Sequence, residues 1–134
     1  MGKAIFDTYI WIDLFNNKNN RQVNLLLDYV SSNSDLIYLT LTIIQEILQG
    51  VKTEVDFLQK QNVLMSFNCL GPDWKETSIA AAKLYFNVRK KGITIRKSAD
   101  CLIAQVSILN GVMLVHNDSD FDLIASGSDL KVFA

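Results

Sequence analysis

The chain has little that would break a fold. One proline and six glycines occur in 134 residues, with no Ser/Gly/Pro-rich stretch to mark a linker. A disordered or low-complexity reading is therefore disfavoured. Zinc chemistry is poorly supplied, since His116 is the only histidine and the two cysteines, Cys69 and Cys101, show no C-x-x-C spacing. The two thiols are expected to be reduced and buried. No apolar run is long enough to span a bilayer, and Asp7 interrupts the N-terminal apolar residues too early for a signal-peptide core. A cytoplasmic protein without membrane contact is expected. The absence of both G-x-G-x-x-G and a P-loop disfavours a nucleotide-binding module.

What is present suits one core. At 49% hydrophobic and 20% charged residues the composition is ordinary for a globular protein, and the length suits a single domain over residues 1–134. The formal net charge of −1 gives no bulk attraction to nucleic acid. Its distribution is uneven, however. From Thr77 to Ala99 there is no acidic residue, while Lys83, Arg89, Lys90, Lys91, Arg96 and Lys97 all fall there. A cationic helix end accounts for Arg89 to Lys91. Arg96 and Lys97 instead follow Gly92 and lead directly into Asp100.

Apolar patterning predicts strands over Lys3 to Phe6, Leu36 to Leu41, Phe67 to Leu70, Val112 to Val115 and Lys131 to Phe133. Helices are predicted over Arg21 to Val30, after Thr42 as N-cap with Gln45 completing a capping box, and over Thr53 to Met65. A turn at Gly71-Pro72-Asp73 opens a long helix towards Lys91. Ser98 is the expected cap of a helix ending at Asn110-Gly111, and a short helix spans Asp118 to Ile124. This alternation predicts a three-layer α/β/α domain around a mostly parallel sheet of about five strands.

In such a sheet ligands bind outside the carboxyl ends of the strands. Asp7 ends the first strand, Glu46 lies just over one turn into the helix after the second, Asp100 opens a helix, and Asp118 follows the fourth strand. Converging carboxylates repel unless they share protons or hold a cation, and oxygen-only ligands favour Mg²⁺ or Mn²⁺. Taken singly, Glu46 reads as a surface charge and Asp118 as a helix cap; the joint pattern carries the signal. Asp13 reads as a local or dimer-edge contact, Trp11 and Phe15 as one helix face, His116 as a hydrogen-bonded strand-end residue, and Phe121 as a core anchor.

The segments I-F-D-T-Y-I-W-I-D-L-F at Ile5 to Phe15, E-I-L-Q-G at Glu46 to Gly50, G-I-T-I-R-K-S-A-D-C-L-I-A at Gly92 to Ala104 and L-V-H-N-D-S-D-F-D-L-I-A at Leu114 to Ala125 resemble the PIN-domain toxins called VapC. The resemblance covers nearly the whole chain in order and spacing. It implies a PIN-like fold and a Mg²⁺- or Mn²⁺-dependent endoribonuclease, dimeric and silenced by a cognate VapB-like antitoxin. Position by position, Asp7, Glu46, Asp100 and Asp118 match the acidic quartet, with Asp120 an additional candidate acid. Thr8 matches the hydroxyl residue that orients the first Asp. Tyr9 departs from the small polar residue common in the family. Arg96 and Lys97, on the loop feeding Asp100, are expected to contact RNA phosphates.

Other classes fit less well. A haloacid-dehalogenase phosphatase needs a second Asp where Tyr9 stands. A receiver domain needs its phospho-acceptor at the end of the third strand, where Leu70-Gly71 stands, and a strand-end Lys late in the chain. A silent RNA-binding PIN domain is disfavoured by the complete quartet. A PIN nuclease of RNA maturation is the alternative to the toxin.

Overall fold

A computed structural model describes residues 1–71 and 73–133. Strands and helices alternate along the chain. Strand β1 (Ala4–Phe6) leads into α1 (Thr8–Phe15) and α2 (Arg21–Ser32), then β2 (Ile37–Leu39), α3 (Leu41–Gln49) and α4 (Glu54–Met65). There follow β3 (Asn68–Cys69), α5 (Trp74–Lys90), α6 (Ser98–Asn110), β4 (Met113–Val115) and α7 (Ser119–Ser126). No described helix is long and apolar enough to cross a membrane.

The sheet has the order β3-β2-β1-β4, and every pairing is parallel. Parallel neighbours need crossover connections, which the helices supply. Successive side chains of β1 point to opposite faces. Ala4, Ile5 and Phe6 are all fully buried, so helices cover both faces and the expected three layers are present. The core is built around Phe6, Trp11, Tyr29, Leu26, Leu114 and Phe121. Trp11 donates its indole N–H to the Phe6 carbonyl at 3.0 Å, which satisfies a buried polar handle. Tyr29 meets Phe6 edge to face, with ring centroids 5.3 Å apart.

The strand expected over Lys131 to Phe133 is reduced to one parallel bridge between Leu114 and Val132, so the sheet has four strands. Its two backbone hydrogen bonds, Leu114 N–H to Lys131 O and Phe133 N–H to Leu114 O, are both 2.9 Å. Two caps also sit elsewhere than expected. Thr40, at the strand-to-helix junction, accepts from the Ile43 N–H at 3.1 Å and caps α3, which leaves Thr42 inside the first turn. Ser98 is the first residue of α6, with Lys97 at the cap position.

Asp73 caps α5 by accepting from the Glu76 N–H at 2.9 Å, while Pro72 of the expected turn lies outside the described residues. Gly92 and Gly111 adopt φ of +83° and +61°, which glycine takes without Cβ strain, so each closes its helix as expected. Cys101 is buried but Cys69 is exposed on the two-residue β3, contrary to expectation.

Candidate active site

The strand order places a switch point between β1 and β4. From β1 the chain steps outward to β2 and β3, then crosses back to the other side of β1. At such a switch the connections diverge and leave a crevice beyond the carboxyl ends. Asp7 stands there, its N–H bonded to Val115 O at 2.9 Å across the two strand ends. It is the N-cap residue of α1 and only 4% exposed.

Three carboxylates gather from two other elements. Asp100 lies in the first turn of α6, Asp118 is the N-cap of α7, and Asp120 lies in the first turn of α7. Ligand oxygens of these three lie within 4.8 Å of one another. Asp100 and Asp120 are buried and Asp118 half-buried. Asp120, the additional candidate acid, thus lies beside Asp118 and Asp100. Asp118 does cap its helix, accepting from the Asp120 N–H at 3.0 Å, so capping and membership of the cluster coexist.

The remaining acid, Glu46 on α3, accepts a hydrogen bond from the Thr8 hydroxyl at 2.7 Å. Thr8 thus aligns Glu46, where the resemblance implied that it orients Asp7. Asp7, Asp100 and Glu46 nevertheless share one electrostatic environment. Burial raises the Asp7 pKa from 3.8 to about 7; the charges of Asp100 and Glu46 add to it, against a hydrogen bond from the Thr8 backbone and the Lys97 charge. Burial likewise raises the Asp100 carboxyl to about 6; Lys97 opposes the shift, and Asp118, Asp120 and Glu46 reinforce it. Acids so placed share protons or bind a cation.

One further observation bears on the donor set. The Oδ2 atom of Asp100 is buried without a hydrogen-bond partner among the described residues. A buried lone pair of that kind is costly, and Asp100 belongs to a cluster whose ligand atoms are all carboxylate oxygens. The chemistry fits a hard divalent cation of the Mg²⁺ or Mn²⁺ kind.

Cations of the chain surround the acids. Arg96 donates from Nε to Asp120 Oδ2 and from Nη2 to Asp118 Oδ1, both at 3.1 Å. Lys97 Nζ lies 4.0 Å from Asp118 Oδ2 and 5.0 Å from the centre of the Tyr9 ring. Sequence reasoning missed these ion pairs, because the loop and α7 are distant in the chain. His116 accepts from the Asp118 N–H through Nδ1 at 3.0 Å and meets Asp122 through Nε2 at 3.1 Å. It therefore fixes the turn that presents Asp118, consistent with a bonded strand-end residue. Asp13 makes only local contacts, with Asn20 and Lys18.

An open cleft of about 510 Å³, lined by Tyr9, Asp13, Arg96, Lys97, Asn117 and Ser119, reaches the cluster at Asp118. A larger cavity of about 900 Å³ lies beside α5, where Lys83, Lys90 and Lys91 line it. The carboxylate cluster is not part of it, so chemistry rather than size locates the site.

A buried acidic cluster at the switch point of a small parallel α/β fold defines a candidate metal-dependent hydrolase. The PIN domain family matches residues 4–127, and the chain belongs to that family. Ribonuclease VapC11 of Mycobacterium tuberculosis is 29% identical over 127 residues, covering 95% of each chain. DNA-bound VapBC from Salmonella typhimurium aligns with a TM-score of 0.76 at 16% identity, over 99% of this chain and 98% of that one. VapBC2 from Rickettsia felis, bound to a promoter fragment, gives 0.73 at 19% identity, over 97% and 96%. At those identities the structural likeness establishes the fold.

Proposed function

We propose that this single-domain chain is a Mg²⁺- or Mn²⁺-dependent endoribonuclease, the toxin of a type II toxin–antitoxin pair. The observation that carries the reading is the cluster of Asp100, Asp118 and Asp120 with its unpartnered, buried Asp100 oxygen at the β1/β4 switch. The similarity to a VapC ribonuclease over 95% of each chain supplies the substrate class and the toxin role.

Asp7, Asp100 and Asp118 with Glu46 are assigned to the metal, and Asp120 joins them as a further ligand. A bound divalent ion would supply an activated water and neutralise phosphoryl oxygens. The chain's own residues do the rest. Thr8 holds Glu46 by its 2.7 Å hydrogen bond, and His116 fixes the Asp118 turn. Arg96 and Lys97, at the mouth of the cleft, meet the RNA backbone. Burial of Asp7 and Asp100 makes their ionised forms expensive without a cation, so metal and charge arrive together.

The working protein is assigned to the cytoplasm as a homodimer, paired with a VapB-like antitoxin; VapBC complexes share its fold. Purified protein is expected to cut structured RNA with Mg²⁺ or Mn²⁺ and to stop on addition of EDTA. Cleavage that survives exhaustive chelation refutes the metal mechanism.

A further inference from the structure

Arg96 stands in an odd relation to the acids. Its side chain is 66% exposed, yet its guanidinium bridges Asp118 and Asp120 at 3.1 Å to each. These are two of the three carboxylates of the cluster. The third, Asp100, keeps Oδ2 buried and unpartnered among the described residues. The guanidinium thus neutralises two of the acids from the solvent side, while Asp100 Oδ2 receives no hydrogen bond from it.

We infer that Arg96 is an internal counter-cation: it competes with the metal ion for Asp118 and Asp120, and a seated cation releases it to grip an RNA phosphate. This rests on the ribonuclease reading above and adds a coupling between metal and RNA that the reading does not require.

Three features support the exchange. The acids keep other donors when the guanidinium leaves, because Asp118 Oδ1 also accepts from the Asp120 N–H and Asp120 Oδ2 from the Arg96 N–H at 3.2 Å. Arg96 is therefore not needed to hold them in place. The departing guanidinium, 66% exposed, regains water, while the incoming cation takes over the charge of buried Asp120 and half-buried Asp118. Finally, the side chain already lines the cleft with Lys97 and Asn117, and Asp13, the other carboxylate lining it beside Asp118, already meets Asn20 and Lys18. A free guanidinium fork matches two phosphate oxygens. Because coupling between sites is reciprocal, metal then strengthens RNA binding through Arg96, and RNA strengthens metal binding.

The test compares the wild-type chain with Arg96→Ala and Arg96→Lys. Mn²⁺ affinity is measured by calorimetry without RNA. Removing the competitor is expected to tighten Mn²⁺ binding roughly fivefold or more, the lower end of a coupling between two ligands, with Arg96→Lys in between. Binding of a fluorescent polyuridylate with a cleavage-resistant phosphorothioate backbone is then followed against salt, with all metal ligands intact. With Mn²⁺, Arg96→Ala is expected to lower the salt slope by about 0.7, one single-strand phosphate contact. In EDTA it should leave the slope unchanged, because the guanidinium is then held by the acids.

Weaker or equal Mn²⁺ affinity in Arg96→Ala overturns the competition. An equal loss of slope with and without Mn²⁺ makes Arg96 an ordinary surface cation. Failure of the wild-type chain to bind Mn²⁺ at all removes the metal-dependent reading itself, and this inference with it.

Discussion

Asp7 offers the sharpest perturbation. Its carboxyl is 4% exposed at the end of β1, and its pKa is raised from 3.8 to about 7, chiefly by burial. A displacement of that size corresponds to about 4 kcal/mol of cost to the ionised folded state. Relaxation and water penetration reduce such costs, so about 2 kcal/mol is the working figure. The sign follows from proton uptake. Between about pH 4 and 7 the folded chain binds a proton that the unfolded chain has lost, so stability rises as pH falls through 7 and is lowest above it. Asn has nearly the same shape and no charge. In EDTA at pH 8, Asp7→Asn is therefore expected to raise Tm by roughly 8 °C, at about 4 °C per kcal/mol for a domain of this size. At pH 5 the gain should shrink to below about 1 kcal/mol, because wild-type Asp7 is then already protonated. Cleavage should be lost at both pH values. Calorimetric scans of both proteins across pH check this. A lower Tm for the variant at pH 8, or an equal gain at pH 5, would refute the account of Asp7 as a strained acid awaiting a cation.

Asp118→Asn and Asp120→Asn are both expected to weaken Mn²⁺ binding by about tenfold or more, because each removes a charged ligand from the cluster. Mn²⁺ titration of cleavage rate measures this, and an unaffected Asp120→Asn would return that acid to a helix-turn role. Thr8→Val deletes the hydroxyl that donates to Glu46 at 2.7 Å. It should slow cleavage by roughly tenfold while costing only about 1 kcal/mol in stability; a rate equal to wild type would show that Glu46 needs no alignment.

Much of the architecture was legible because local physics wrote it. Fully apolar Ala4 to Phe6 ends at an Asp, as a buried parallel strand at a sheet's carboxyl edge does. Helical spacing marked α2 and α6, and Gly111 marked the end of α6 by its positive φ. The misplaced features were boundary effects. Thr40 and Thr42 are chemically equivalent candidates for a cap, and only the direction in which β2 leaves the sheet chose Thr40. Residues Lys131 to Phe133 carry strand-like side chains, but they gained a single bridge because edge pairing depends on where the chain returns, not on propensity.

The acids divide along the same line. The sequence by itself singled out Asp7, Glu46, Asp100 and Asp118, with Asp120 as an additional candidate, as the acids expected to carry the chemistry, through their joint pattern and the family resemblance. It also determined a parallel α/β domain, because the alternation of short apolar runs and longer amphipathic ones admits few other packings. Only the tertiary structure decided which acids meet. Asp120 joined Asp118 because the N-terminal turn of α7 points both side chains at α6, while Arg96 reached them from a loop 22 and 24 residues earlier. Thr8 found Glu46 across 38 residues rather than turning to its neighbour Asp7. Hydrogen bonds and desolvation act through space and burial, and neither is encoded in residue spacing along the chain.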